Sequence, residues 1–201
     1  MKIGIYGGTF DPPHNGHVHA CKSFLETYKV DRMYIIPTFI PPHKVRDSNI
    51  SAEMRMEMSK LAFEGIADNV EISDIELKRQ GTSYTADTLK QFKDIGCEKI
   101  YLLCGTDMFV TLDTWRNPKY IFESATIVCV RRENDESMVA LIDEKSKMYK
   151  EVFGADIEFI HKEAIEVSSS DLRKNIVNLK DLVPSNVFKY IEANNLYENE
   201  N

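Results

Sequence analysis

The residues with the clearest chemical meaning form one run near the start of the chain, Gly7-Gly8-Thr9-Phe10-Asp11-Pro12-Pro13-His14-Asn15-Gly16-His17. A glycine pair that follows a short apolar run lets the backbone turn sharply and approach a ligand with no Cβ in the way. Backbone N–H groups at the start of a helix favour an anion, and a phosphate suits both features. His14 and His17, three apart at that start, share a face and can turn both imidazoles into one space. Two histidines beside an anion site point to phosphoryl or nucleotidyl chemistry. Plainer readings stand beside this one: a glycine pair is often only a turn, and a lone histidine is more often solvated or packed than reactive. A metal site can also be drawn, because His17 and Cys21 are spaced i, i+4 with His19 between them. The spacing predicts that His19 points away from that face, and no C-x-x-C or H-E-x-x-H accompanies the set, so no metal ligands are expected.

Other stretches carry weaker signals. Pro41-Pro42-His43-Lys44 is a stiff loop that can hold a histidine and a lysine over a cleft, or a solvated turn. Ser83-Tyr84-Thr85 precedes a helix, where hydroxyls and free N–H groups can hold a carboxylate or simply cap the helix. Asp107, in Gly105-Thr106-Asp107 just past an apolar strand, can accept from ribose hydroxyls or act as a helix N-cap. Trp115 is the sole tryptophan, and such a residue is usually packed in a core, although here it sits in a polar stretch. Arg116 reads as a surface charge. Arg131 and Arg132 leave a strand end on the cleft side, where either can meet a phosphate or the surroundings of an adenine. Ser168, Ser169 and Ser170 precede another helix and can cap it or face a phosphate, and Arg173 in its first turn can reach the same anion with a planar guanidinium.

The elements that must position these residues follow from periodicity. Strands are expected at residues 2–6, 31–37, 70–73, 99–104, 125–130 and 157–160, and helices between them. Val18, Cys21, Phe24 and Leu25 give the first helix, to about residue 28, an apolar stripe. Met54, Met58 and Leu61 do the same for a helix capped by Ser51 and running to about residue 64; methionines at this spacing are core far more often than cofactor ligands. Residues 133–150 read as a solvated helix and residues 184–193 as a last one. A strand, a helix and a strand within the first forty or so residues make a βαβ unit, which requires a parallel sheet and a right-handed crossover. Ligands in such sheets bind beyond the carboxyl ends of the strands, where the glycine run sits.

Composition narrows the class. At 201 residues, 43% hydrophobic and 28% charged, the chain is an ordinary globular one, read as a single domain over residues 1–201. No apolar run is long enough to span a bilayer and Met1-Lys2 leads straight into a strand, so a cytoplasmic protein is expected. Cys21, Cys97, Cys104 and Cys129 lie scattered in apolar segments and read as reduced core thiols. A net charge of −7 argues against a nucleic-acid surface, whereas a mononucleotide needs only a few local cations.

The run G-G-T-F-D-P-x-H-x-G-H resembles the signature of the bacterial nicotinate-nucleotide adenylyltransferases, within the HxGH nucleotidylyltransferase superfamily. The resemblance continues through P-x-H-K at Lys44, R-x-G-x-S-Y-T-x-D-T-L at Tyr84 and Thr85, G-x-D at Asp107, Trp115, and S-S-x-x-x-R from Ser168 and Ser169 to Arg173. Val167 and Ser170 stand where that family has isoleucine and threonine, mild departures that retain the branch and the hydroxyl. The resemblance implies a doubly wound, mostly parallel α/β sheet of the Rossmann-like nucleotidyltransferase kind. It implies adenylyl transfer from ATP to nicotinate mononucleotide, giving nicotinate adenine dinucleotide and pyrophosphate, with Mg2+ carried by the ATP. It assigns catalysis to His14, His17 and Arg173, and ATP and phosphate binding to Gly7, Gly8, Thr9, Phe10, Lys44, Ser168 and Ser169. Tyr84, Thr85, Asp107 and Trp115 would meet the mononucleotide. Rival readings are a related nucleotidylyltransferase with nicotinamide mononucleotide or phosphopantetheine as acceptor, and a nucleotide sensor without turnover. A homo-oligomer is compatible with the sequence, which does not specify the number of subunits.

Overall fold

The computed structural model describes residues 1–42, 49–131, 136–162, 165, 167–174 and 179–197. Among these, β1 (Lys2–Gly8), β2 (Arg32–Pro37), β3 (Val70–Ile72), β4 (Lys99–Gly105), β5 (Thr126–Arg131) and β6 (Ile157–His161) form one sheet in the order β3-β2-β1-β4-β5-β6. Every neighbouring pair is parallel. This is the doubly wound order with its reversal between β1 and β4. The expected strands all form, within a residue or two of their expected ends.

Alternation along the strands sorts the core into two layers. Tyr6, Tyr101, Leu103, Val128 and Val130 face one side. There they meet α1 (Asn15–Thr27) and α2 (Ala52–Phe63), and, from the far end of the chain, α8 (Ser169–Lys174), α9 (Leu179–Leu182) and α10 (Ser185–Ala193). Ile3, Ile5, Leu102, Cys104, Ile127 and Cys129 face the other side. That layer holds α3 (Ile75–Arg79), α4 (Thr85–Asp94), α5 (Thr106–Phe109), α6 (Pro118–Ser124) and α7 (Glu136–Phe153). All four cysteines are buried free thiols. Cys21 is wholly buried, and burial pushes its thiol pKa up to about 12, so it packs as a small apolar side chain.

Three local expectations need correction. The helix α3 was not anticipated, because Glu76-Leu77-Lys78-Arg79 carries too little apolar periodicity to announce one. The helix α7 is not merely solvated: Ile142 and Tyr149 are buried, and the Tyr149 hydroxyl, with its one proton, lies 2.9 Å from both the Phe109 carbonyl and Asp113 Oδ1. In α2 the buried face runs through Ala52, Arg55, Ser59 and Ala62 as well as Met58, while Met54 and Leu61 are only partly covered.

The sheet also determines where a ligand can enter. The strands β1 and β4 pair only as far as Ile5 and Leu102. On its other side β1 stays paired with β2 to Gly8 and Pro37, and β4 stays paired with β5 to Gly105 and Val130. The two central strands therefore part over residues 6–8 and 103–105, and a crevice opens at the point where the strand order reverses.

Candidate active site

A cavity of about 690 Å³ occupies that crevice. Its floor is the carboxyl ends of β1 and β4, and each helical layer supplies one wall. The first wall comes from the loop after β1, from α1, and from the segment leading into α8; the second comes from the segment leading into α4 and from the turn that holds Trp115.

The first wall is organised by the two histidines. His14 is the N-cap of α1 and is buried, with 6% of its surface exposed. Its Nδ1 accepts from the His17 backbone N–H at 3.3 Å, and His17 Nδ1 accepts from the His14 backbone N–H at 3.1 Å. This reciprocal pair is a capping box made from histidines in place of the usual Ser or Thr and Glu. An Nδ1 that accepts carries no proton, so each neutral ring holds its proton on Nε2, at the edge away from the helix backbone. The rings stack with centroids 3.6 Å apart, and the edge contact of Phe10 with His17 at 5.0 Å fixes the pair from behind. Gly16 allows this: a Cβ there would come within 3.1 Å of the His14 ring and of the Ile165 carbonyl. At Gly7 a Cβ would meet nothing of the protein, so the space beside that glycine belongs to the cavity.

The loop carrying His14 is held from three directions. The Tyr197 hydroxyl donates to Asp11 Oδ1 at 2.7 Å, Ser169 Oγ donates to the Pro12 carbonyl at 2.9 Å, and Arg173 Nη1 donates to the Asp11 carbonyl at 2.8 Å. Arg173 Nη1 is also 4.0 Å from Asp11 Oδ2. Sequence reading aims this guanidinium at a phosphate; the structure places it behind the wall formed by Ser168, Ser169 and Ser170, engaged with the loop. Ser168 does cap, accepting from the Asp171 N–H at 3.2 Å. Phe10 offers the cavity its backbone, because its ring is sunk among Tyr6, His17 and Phe63.

In the second wall the helix-capping reading fails. The N-cap of α4 is Tyr84, and no side chain caps that helix. Ser83 Oγ instead accepts from the Phe39 N–H at 2.9 Å, and Ser83 N–H donates to the Ile40 carbonyl at 2.8 Å. Tyr84, Thr85, Asp107, Trp115 and Arg116 line the cavity. Asp107 lies inside α5, whose N-cap is Gly105, so it is not a cap. Trp115 is half-buried, and its indole N–H donates to Thr111 Oγ1 at 3.3 Å.

Several assignments change in three dimensions. His19 also contributes to the cavity lining, and Ser23 Oγ lies 3.5 Å from its Nε2. Arg131, its side chain 14% exposed, is held by Asp143 through two contacts, at 2.9 and 3.2 Å, and is not among the residues lining the cavity. His43, Lys44 and Arg132 lie outside the described residues.

Sequence reasoning missed two buried residues that build the site. Arg55, 2% exposed, donates to the carbonyls of Thr9 at 2.7 Å, Thr38 at 2.6 Å and Phe39 at 3.1 Å. It therefore ties the loop after β1 to the loop after β2, and through Phe39 and Ser83 to the start of α4. The available signal was an arginine on the face of α2 that also carries Ala52, Ser59 and Ala62. Glu76, 5% exposed, accepts from the Thr88 hydroxyl at 2.6 Å. Burial pushes its carboxyl above the ordinary value, while hydrogen bonds from Thr88 and Ser83 and the charges of Arg79 and Arg55 act the other way.

A raised carboxyl pKa in the folded state means that the native protein holds this proton more tightly than the unfolded chain does. The Glu76 contribution to stability is therefore greatest at low pH and declines as pH rises past the unfolded value of about 4.3. Glu76→Gln keeps an acceptor for Thr88 and cannot ionise. Its melting temperature relative to wild type is expected to rise between about pH 4 and pH 8; a difference that stays constant over that interval would refute a raised Glu76 pKa.

The cytidylyltransferase-like family matches residues 5–175. Proteins named probable nicotinate-nucleotide adenylyltransferase in Borreliella burgdorferi and Clostridium tetani are each 35% identical to this chain, over 98% of it and 97% and 98% of their own lengths. One of the same name in Bacillus licheniformis is 35% identical over 98% of each chain. Among solved structures, the Plasmodium falciparum nicotinic acid mononucleotide adenylyltransferase complexed with NaAD has the same fold. Its TM-score is 0.75 at 19% identity, covering 98% of this chain and 97% of that one.

Proposed function

Because this chain belongs to the cytidylyltransferase-like family and, within it, to the nicotinate-nucleotide adenylyltransferases, we propose that the cavity holds ATP against the histidine wall and nicotinate mononucleotide against the Tyr84–Trp115 wall. The enzyme transfers the adenylyl group of ATP to nicotinate mononucleotide, a step of NAD biosynthesis. A phosphate oxygen of the mononucleotide forms a bond to the α-phosphorus of ATP. The bond from that phosphorus to the bridging oxygen breaks, and pyrophosphate leaves with the electron pair.

The observation that carries the site assignment is the reciprocal histidine cap at the strand-order reversal. It presents two Nε2–H donors from one rigid stack, where charge would build on the α-phosphate. Little covalent work falls to the protein in such a transfer, so rate comes from alignment and from neutralising the developing charge. His17 donates to the α-phosphate in the transition state and His14 assists it. Gly7, Gly8 and Thr9 offer backbone to the phosphates, Ser168 and Ser169 complete that wall, and Arg173 keeps the Asp11-Pro12 turn in place behind it. Asp107 accepts from ribose hydroxyls, Trp115 stacks on the pyridine ring, and the start of α4 at Tyr84 and Thr85 meets the ring substituent.

No group of three His, Cys, Asp or Glu among the described residues is arranged to hold a metal ion. We propose that magnesium is carried in by the triphosphate, where it would supply neutralisation of triphosphate charge. No described helix is long and apolar enough to cross a membrane, and the cytoplasm is the proposed site of action.

The test is to offer ATP with nicotinate mononucleotide, its amide counterpart or phosphopantetheine and to measure pyrophosphate. Release is expected with the first; release only with phosphopantetheine, or none with any acceptor, would overturn the reading. Trp115→Ala is expected to raise the KM for the mononucleotide about tenfold, the scale of one lost ring stack, and to leave the KM for ATP within about twofold. The opposite pattern would move Trp115 to the ATP side.

A further inference from the structure

We infer that Arg116 is the residue through which this cavity selects a carboxylate, and not an amide, on the ring of its mononucleotide; the inference rests on the function proposed above. Arg116 follows Trp115 and lines the cavity. Its guanidinium carbon lies 4.4 Å from the centroid of the Tyr84 ring, which anchors it beside Thr85, the first residue of α4. The cation thus stands where the ring stack and the helix start converge, in the layer opposite the one that supplies the histidines.

Its existing partner leaves it available. Arg116 Nη1 lies 3.8 Å from Asp87 Oδ2, with side chains 59% and 46% exposed, so the pair is long and solvated and contributes little. A ligand carboxylate can replace Asp87 at small cost and accept two parallel N–H donors from the planar guanidinium. Arg79, at the end of α3 in the same layer and not itself a lining residue, is engaged otherwise: it donates to Gln91 at 2.6 Å and to Thr88 at 3.1 Å.

The charge difference between the two ligands favours a cation here. A ring acid and a ring amide differ by one negative charge and by the exchange of an acceptor oxygen for an NH2 donor. Asp107 and Glu76 line the same cavity and Asp87 stands at its edge, so the local carboxylates disfavour the acid. Arg116 reverses that balance, and against an amide it would set donor against donor.

The experiment measures, for wild type, Arg116→Gln and Arg116→Lys, the Kd of nicotinate mononucleotide and of nicotinamide mononucleotide by titration calorimetry, and the KM for ATP. Arg116→Gln is expected to weaken the acid about tenfold while the amide and ATP stay within about twofold, and Arg116→Lys is expected to recover part of the acid preference. Equal weakening of both mononucleotides would place Arg116 on their common phosphate or ribose, and no change in either would make it a solvated surface charge; each result overturns the inference. A wild-type enzyme that binds and turns over neither mononucleotide would instead remove the underlying function.

Discussion

His17→Ala is expected to lower turnover by about two to four powers of ten while the protein still folds, the scale of losing a donor aimed at transition-state charge. The structure adds a complication, because His17 is also half of the cap of α1. Its loss leaves the His14 N–H without that acceptor, which costs about 1 kcal/mol and lowers the melting temperature by roughly 2 to 4 °C. His17→Gln separates the two effects. Glutamine at the third helical position can accept from the N-cap N–H as the imidazole does, but it lacks an Nε2–H on a stacked ring. The glutamine variant is expected to regain stability and to remain as slow as the alanine variant. Near-normal turnover in either would remove His17 from the chemistry.

The largest effect on stability is expected at Arg55, far from the transferred phosphate. Arg55→Met keeps much of the side-chain volume but leaves the carbonyls of Thr9, Thr38 and Phe39 without this donor. Each lost bond to a charged donor carries a cost of about 1.5–3 kcal/mol, partly offset because a buried guanidinium no longer has to be desolvated. A net loss of about 3 kcal/mol, or roughly 6 to 12 °C in Tm for a chain of this size, is expected. The kinetic consequence follows from geometry. Arg55 joins the loop after β1, proposed to meet ATP, to the loop after β2 that holds Ser83, so KM should rise for ATP and for the mononucleotide together, unlike the one-sided effect of Trp115→Ala. A variant within about 2 °C of wild type, with both KM values unchanged, would show that the loops hold their positions without Arg55.

Arg55 also shows how sequence reading fell short. Met54, Met58 and Leu61 stood out because apolar residues at helical spacing are the usual mark of a buried face. A buried arginine carries no such mark, since its burial is compensated by carbonyls from positions 9, 38 and 39, which only the folded chain brings to it. The histidines failed in a different way. Their spacing was legible, but histidine is not among the usual capping residues, so their bonds to each other's backbone, and with them the nitrogen that carries each proton, stayed hidden. At Ser83 the ambiguity between cap and ligand resolved because Phe39, forty-four residues away in sequence, takes its hydroxyl.

The sequence by itself determined the class of fold and of chemistry. Strand and helix periods are local, and the glycine run ending in His14 and His17 carries in consecutive residues the types on which the proposed phosphate site rests. The tertiary structure decided which side chains face the ligand. The parting of β1 and β4 beyond Ile5 and Leu102 opens the cavity, and the two layers bring His17 and Trp115 to opposite walls. Among the arginines, Arg116 turned to the cavity, Arg131 to Asp143 and Arg173 to the Asp11 loop. A guanidinium goes where partners distant in sequence are assembled, and no local pattern records that.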